Sequence, residues 1–318
     1  MSHCALEQAA CPISGSTEFE LRYTAPDRFH LSGGEVWQVV TARASGLTLL
    51  SPRPTQAEIG KFYDALDYDP FISLRQATSW RERTYKFIRE FISLRYKARQ
   101  VLRRANLLAG RVYNVLEIGC ATGDFLLALR RHSDAVLNLT GIEISEKAAQ
   151  YARDENELVV YHGELLTVQI DEPQDLIVMW HTLEHIHRLN ETLDKLRRLL
   201  RRNGLFVTAM PNLNSLDAQH YGKYWVALDA PRHLYHFTPE SFAALLGKHR
   251  LRIVDMHGLP LDSYYNALLS EQLCAAMQGQ SSGIGTVLRA IWWGSLAAIN
   301  GITPELASSV CYYVKHVD

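Results

Sequence analysis

A chain of 318 residues with 47% hydrophobic side chains carries enough apolar material for a large core, one large domain with a smaller piece attached. Its formal net charge of -1 supplies no global field that would draw in nucleic acid or an anionic membrane. The five cysteines (Cys4, Cys11, Cys120, Cys274 and Cys311) are odd in number, scattered and without a C-x-x-C, which argues against a disulfide framework and for a reducing, cytoplasmic setting.

The opening "MSHCALEQAACPISGSTEFE" has neither the basic nor the apolar region of a secretory leader. Residues 1–50 read as short strands and turns, and "LSGGEVWQVVTARASGLTLLSPRP" alternates apolar and polar side chains. Thr55, with Glu58 three positions on, predicts a capped helix over 55–66. Phe87, Phe91, Leu94, Val101 and Leu102 share one face of a long helix expected over 75–108. Beyond it a strand at 112–118 starts a regular alternation: helix 123–132, strand 137–144, helix 145–155, strands 158–162 and 175–180, helix 188–202, strand 205–210, helix 239–249, strand 251–257 and a last strand near 309–316. That order predicts an α/β fold, a parallel sheet with helices on both faces.

The stretch "NVLEIGCATGDFLLALRR" is an apolar strand, an acidic residue, a turn with two glycines and an apolar helix. Ligands of open α/β sheets bind beyond the carboxyl ends of the strands. Gly119 and Gly123 are read as letting the backbone approach such a ligand. The dinucleotide fingerprint is missing, since Ala121 and Asp124 stand within the loop, and an acidic residue at a helix mouth repels pyrophosphate. Glu117 adds a second carboxylate suited to a cationic ligand group, and Glu143, twenty positions after Gly123, is placed to accept both hydroxyls of a ribose. A ribose, a positive amino-acid-like end and no phosphate together describe S-adenosylmethionine.

The segments "VLEIGCATGDFL", "GIEIS", "DLIVMWHTLEHI" and "DAPRHLYHFTPESFAALL" resemble the class I S-adenosylmethionine-dependent methyltransferases, in particular members that carry a small zinc ribbon before the catalytic domain. The resemblance runs over about residues 11–258 and weakly into "SSVCYYVKHV". It implies a Rossmann-like seven-stranded sheet with the last strand antiparallel. The implied segments are a degenerate ribbon-like element over 1–54, a helical cap or linker over 55–110, and a methyltransferase domain over 111–318 with a helical insertion about 262–305. By the family pattern Glu117, Gly119 and Gly123 hold the methionine part of the cofactor, Glu143 the ribose and Glu164 the adenine amino group, and Cys120, Ala121, Ile144, Leu165, Trp180 and Tyr68 are expected as further cofactor-binding residues. Tyr63 and Tyr68 are expected to close over the cofactor, whose product form is S-adenosylhomocysteine. Glu164 stands where aspartate is more usual, and Ala121 replaces the middle glycine.

Ribbon-bearing members open with C-P-x-C-G and later C-x-x-C-G. Here the corresponding segments are "CPISG" and "ARASG", so the four ligand positions hold Cys11, Ser14, Ala42 and Ser45. Structural zinc needs four nitrogen or sulfur donors, and one thiol does not suffice, so no metal is expected.

"HTLEHIH" gathers His181, Glu184, His185 and His187, and formally matches an inverted zincin motif. That motif requires both histidines within one helix, whereas His181 directly follows a buried strand, so Glu184 and His185 read as groups pinning the loop. "PRHLYHF" places Arg232, His233, Tyr235 and His236 in a loop over the pocket. An imidazole suits proton removal during methyl transfer, and His233 is the expected base, with His181 second.

Two segments bear on partners. Between Arg75 and Arg104 there are ten Lys or Arg against Glu82 and Glu90, read as a solvated face rather than an RNA contact. Residues 284–302 carry a single charge, Arg289, and include Trp292 and Trp293; a lid over the substrate pocket is favoured there over a helix lying in a membrane interface. The expected activity is methyl transfer to the O, N or C atom of a small or medium organic acceptor. An RNA methyltransferase and a non-catalytic cofactor-binding protein are the alternatives.

Overall fold

The computed structural model describes residues 4–31, 36–63 and 93–317. Its strands in chain order are β1 (Leu6–Glu7), β2 (Phe19–Pro26), β3 (Val36–Ala42), β4 (Thr48–Leu50), β5 (Arg53–Pro54), β6 (Val112–Ile118), β7 (Val136–Glu143), β8 (Val159–His162), β9 (Gln174–Trp180), β10 (Leu200–Pro211), β11 (Tyr235–His236), β12 (Leu251–Gly258) and β13 (Ser309–His316). The helices are α1 (Arg95–Ala105), α2 (Asp124–His132), α3 (Glu146–Asp154), α4 (Leu189–Leu199), α5 (Leu216–Tyr221), α6 (Pro239–Lys248), α7 (Pro260–Met277) and α8 (Ile284–Asn300).

Among the described residues one sheet has seven strands in the order β12-β13-β10-β9-β6-β7-β8. Strand β6 pairs in parallel with β7 on one side and β9 on the other, and β7 with β8, while the last strand is antiparallel. This is the Rossmann-like order expected. The interior strand β6 explains itself: Val115, Leu116, Glu117 and Ile118 are all buried, as befits a parallel strand covered on both faces.

The chain divides into two compact units. The second unit, from Leu66–Thr182, Asn190–Thr208 and Tyr313–Asp318, holds the parallel strands. Helix α2 starts from Gly123 in left-handed conformation, with Asp124 in its positive first turn. Helix α3 is capped by Ser145, whose hydroxyl accepts the Ala148 N–H. Helix α1 ends at Asn106, a left-handed cap, three residues short of the expected 108. Residues 75–92 of that expected helix, with Phe87 and Phe91, lie outside the described residues, as does Tyr68.

The first unit is built from Met1–Ala65, Leu183–Leu189 and Ala209–Tyr312. Its four-stranded sheet runs β11-β4-β3-β2. The outer strand β11 comes from the "PRHLYHF" loop: Tyr235 faces Leu49 and His236 faces Thr48. Helix α6 begins with a capping box. The Thr238 hydroxyl accepts the Ser241 N–H and the Ser241 hydroxyl accepts the Thr238 N–H, with Pro239 at the first helical position. Helices α7 and α8 pack together, Gly294 lying against Tyr264 where a Cβ would meet its backbone at 3.0 Å. Trp293 stacks on His220 at 3.5 Å, whereas Ile284, Leu288 and Trp292 face outward. No described helix is long and apolar enough to cross a membrane.

The helix expected over 55–66 is not continuous. Thr55 instead opens a turn, its carbonyl accepting the Glu58 and Ile59 N–H groups, and a single 3₁₀ turn follows over Ile59–Phe62. Glu58 gives no side-chain cap and Gly60 sits in the middle of the turn, so the local sequence favours no α-helix there.

Candidate functional site

The second unit places two carboxylates at the carboxyl ends of adjacent parallel strands, Glu117 on β6 and Glu143 on β7. The Glu143 carboxylate accepts the Ala121 N–H at 2.8 Å with one oxygen and the Ser145 N–H at 2.8 Å with the other. It therefore ties the loop after β6 to the loop after β7. Burial raises its pKa, and the backbone amides of Ser145, Ala121 and Ile144 only partly offset that. Each oxygen keeps a second lone pair, so hydroxyl donors of a ribose find acceptors there.

The loop itself is tightly wound. The Gly119 and Cys120 N–H groups both donate to the Ile142 carbonyl, and the Gly123 N–H donates to the Cys120 carbonyl at 2.8 Å. Gly119, Ala121 and Gly123 all have positive φ (75°, 47° and 78°). The need for glycine is set by the chain's own packing rather than by ligand approach: a Cβ at Gly119 would overlap the Thr182 hydroxyl, and one at Gly123 would overlap Leu158. Ala121 adopts the left-handed region despite its Cβ. The Cys120 side chain is buried against Gly141, so only its backbone is offered to a ligand.

Other expected cofactor residues also lie in this unit. Ile144 projects into solvent beside Glu143, 66% exposed. Glu164 is half-buried in a turn held by Thr167, and Leu165 is buried. Trp180, at the end of β9, packs edge-on against Phe125 at 5.1 Å and lies beneath the Lys97 ammonium at 4.6 Å. His181 follows it with a φ of 48°, off the strand and outside any helix, so the inverted-zincin geometry is not formed. Arg104 lies over the Tyr313 ring at 4.4 Å. Two cations of the basic helix are thus engaged with aromatic rings of their own unit.

The first unit gathers a buried histidine cluster. The 3₁₀ turn Leu183–His185 supplies Glu184 and His185, and the loop before β11 supplies Asp229, Arg232 and His233. The His185 and His233 rings meet edge to face at 4.6 Å. Nδ1 of His233 lies 2.8 Å from the Ala227 carbonyl, and Nδ1 of His185 lies 3.0 Å from the Arg232 carbonyl. A carbonyl only accepts, so both Nδ1 atoms carry the proton and both Nε2 atoms present lone pairs. The Tyr63 hydroxyl also meets His185 Nδ1, at 2.9 Å, so this tyrosine is placed in the histidine cluster.

Electrostatics fix the protonation of the cluster. Burial, then His233, push the His185 pKa down to about 4, and burial takes His236 down to about 3. Asp229 is buried, which opposes its charge, but the Arg28 and Arg232 guanidiniums outweigh this and hold it well below the carboxylate range. Arg232 is fully buried between Asp27 at 2.7 Å and Asp229 at 2.9 Å. Asp229 also stands 4.0 Å from His233 Nε2. Sequence reasoning missed Asp27 and Arg28, which reach the Asp229–Arg232 pair from about two hundred residues away and share no motif with it; it also missed the role of Asp229, three residues before Arg232 in the same segment.

The two N-terminal turns have the same form. Gly15 N–H donates to Cys11 O and Gly46 N–H to Ala42 O, both at 2.8 Å, and both glycines have φ near 70° (74° and 70°). Between the turns Cys11 Sγ lies 3.1 Å from Ser45 Oγ. Burial raises the Cys11 pKa, but hydrogen bonds with Ser14 and Ser45 and from the backbone together bring it below the ordinary thiol value.

Comparisons with known proteins agree with this architecture. The model of the methyltransferase-domain family matches residues 80–255, more than half of the chain. No curated protein matches the sequence at a significant level. A protein assigned as a methyltransferase, solved with the Trm112 methyltransferase activator of Haloferax volcanii, is 15% identical, with a TM-score of 0.50 over 73% of this chain and 92% of its own. A geranyl diphosphate C-methyltransferase from Streptomyces coelicolor is 15% identical, with a TM-score of 0.48 over 77% of this chain and 87% of its own. At such identities the likeness speaks for the fold alone. The family match, covering the strand-end loops and the "LEH" and "PRH" segments, is the stronger finding: the chain belongs to the methyltransferase-domain family, the S-adenosylmethionine-dependent methyltransferases of class I.

Proposed function

We propose that the protein transfers a methyl group to an O, N or acidic C atom of a small or medium organic acceptor, with Glu143 holding the cofactor ribose and His233 taking the acceptor's proton. The observation that supports the cofactor side best is the Glu143 carboxylate, buried at the end of β7 and held in place by two backbone amides. Glu117, at the end of β6, supplies negative charge for an ammonium group. Bound there, S-adenosylmethionine supplies an electrophilic methyl group.

His233 is suited to the proton. Its Nδ1–H is fixed on the Ala227 carbonyl, which leaves the Nε2 lone pair as the basic site. The imidazolium formed when Nε2 takes a proton faces the Asp229 carboxylate, 4.0 Å away, which stabilises it. Asp229 in turn keeps its charge because two guanidiniums hold it. Orientation of acceptor and cofactor supplies most of the acceleration in such a reaction.

Calorimetric titration with S-adenosylmethionine and S-adenosylhomocysteine, on the intact chain and on Glu143→Ala, tests the cofactor half. Micromolar binding that collapses in the variant is the expected result, and no binding by the folded intact chain would break the reading at its first link. For the base, His233→Ala is expected to lower turnover roughly 10²-fold while leaving cofactor affinity in place. Near-normal turnover would remove His233 from the mechanism.

A further inference from the structure

Within the first unit, helix α8 carries its polarity inside out. The side chains it buries are small, Thr286, Ala290, Gly294 and Ala297, and Gly294 among them lies against Tyr264 of α7. The large apolar side chains point the other way. Ile284, Leu288, Ile291, Trp292 and Ile299, with Ile302 just past the helix, are each more than half exposed, from 53% at Ile291 to 82% at Ile302. We propose that this face is a homodimer interface, on which α8 of a second copy packs antiparallel around a two-fold axis.

Three observations carry this. The first is spacing. Ile284, Leu288, Ile291, Ser295 and Ala298 follow one another at intervals of four, three, four and three positions. At 3.6 residues per turn such positions line a single stripe along the helix. Alternation of three and four is the seam along which two helices bury each other as a coiled coil. Val287 flanks the stripe on one side, Trp292 and Ile299 on the other. A helix that served only its own chain would turn this stripe inward, whereas α8 turns its small residues inward.

The second is self-complementarity, which a two-fold interface requires. With the axis level with Trp293, Ile284 faces the partner's Ile302, Leu288 faces the partner's Ala298 and Ile291 faces the partner's Ser295. Large meets small in two of these three layers, the alternation by which facing helices interdigitate. Parallel pairing would set Leu288 on Leu288 and Ala298 on Ala298, crowding one layer and leaving a void at the other. Arg289 is the only charge on α8 and lies off the stripe, donating to Glu271 at 2.7 Å. Ser295, the one hydroxyl in the seam, pairs with the Tyr264 hydroxyl at 3.2 Å.

The third is area. With Val287, these residues leave on the order of 900 Å² of surface open, which matches the ~800 Å² that each partner contributes to a stable interface. The largest apolar patch on a typical monomer covers about 300–600 Å². Membrane hydrocarbon is the other medium that takes such a face. Helix α8 has 17 residues, short of the ~20 that span a bilayer. A helix lying in a lipid interface carries Lys and Arg on its polar face. The opposite face of α8 instead packs on its own chain, and its one cation is held by Glu271. The second copy is therefore the occupant that fits.

This interface does not depend on the methyl-transfer reading, so the readout is mass, not turnover. The full chain at micromolar concentration is expected to sediment at twice its chain mass. The double variant Leu288→Glu, Ile291→Glu brings like charges together in the desolvated seam and is expected to weaken self-association roughly 100-fold or more, with the far-UV spectrum unchanged. Leu21→Glu, equally exposed but on β2, is expected to leave the dimer intact. A monomeric intact chain overturns the proposal, as does a dimer that survives the two glutamates. A monomer that instead sediments with phosphatidylcholine vesicles, and is released by the same two glutamates, overturns it in favour of a lipid surface. Disulfide trapping tests the orientation, and it decides should the double variant fail to fold. Copies with Ile284→Cys are expected to cross-link to copies with Ile302→Cys through those two positions. Cross-linking of Ile284→Cys copies to one another through position 284 overturns the antiparallel arrangement, and no cross-link through either position overturns the interface.

Discussion

Cys11 and Ser45 stand 3.1 Å apart, sulfur to oxygen, at the ends of two turns of the same form. Each turn closes through a glycine in left-handed conformation, Gly15 after Cys11 and Gly46 after Ala42. The two turns carry Cys11, Ser14, Ala42 and Ser45 at the positions matched to ribbon ligands, and a thiol–hydroxyl hydrogen bond joins them. Replacing all three together (Ser14→Cys, Ala42→Cys, Ser45→Cys) is expected to create a four-thiolate site. One zinc per chain by elemental analysis, with a raised melting midpoint that chelator removes, is the expected outcome. A triple variant that folds yet takes up no zinc would show that the turns have drifted beyond tetrahedral geometry.

The loop after β6 carries its own test. Ala121 holds a φ of 47° between Gly119 and Gly123. A Cβ in that region costs roughly 1–2 kcal/mol, less what a glycine adds to the entropy of the unfolded chain. Ala121→Gly is therefore expected to stabilise the fold by about 0.5–1 kcal/mol in a denaturant titration. Gly123→Ala is expected to do the opposite and by more, since its methyl would run into Leu158 as well as straining the backbone.

These two cases mark what was legible in the sequence. The β6 loop announces itself because strand, turn and helix are contiguous, and Glu143 follows one βα unit later. The relic turns are legible because C-P-x-x-G and x-x-x-x-G spacing survives the loss of three ligands. The histidine cluster is different. "LEH" and "PRH" each suggest polar loops, but only the folded chain sets His185 against His233 and closes the group with Tyr63. Strand β11 was hidden for a related reason: two residues show no period, and its pairing with β4 is decided by tertiary packing. Asp27 and Arg28 sit in "TAPDRFH", which reads as an ordinary turn until Arg232 and Asp229 reach it.

Glu143 separates two roles that one carboxylate plays. It accepts two backbone amides, which orders the loops, and it offers lone pairs to a ligand. Glu143→Gln keeps an acceptor oxygen but turns the other position into a donor facing a backbone N–H. Loss of one charge-assisted bond costs about 1.5–3 kcal/mol. Affinity for S-adenosylhomocysteine is expected to fall roughly 10- to 100-fold, with the melting midpoint lowered as well. A variant that loses stability but binds normally would leave Glu143 as a loop clamp only.

Two histidines, His236 buried and His185 half-buried, predict how the fold responds to acid. His185 titrates at about 4 and His236 at about 3 in the folded chain, against an ordinary value of 6.5. For each ring the unfolded chain binds the proton more readily, so stability is fully present above pH 6.5 and is lost as pH falls toward those lower values. At pH 4.5 each ring accounts for roughly 2–3 kcal/mol of lost stability. Asp229, held low by Arg28 and Arg232, adds a loss of the same sign, but only below about the ordinary aspartate value of 3.8. Glu143, whose pKa burial raises, opposes this loss where it takes up its proton above the ordinary carboxylate value. Melting midpoints measured across the interval from pH 6.5 to 4.5 should fall, and His236→Phe, which fills the same buried position without a titrating ring, should flatten the slope. A slope unchanged in His236→Phe would show that the ring is not what makes the folded chain sensitive to acid.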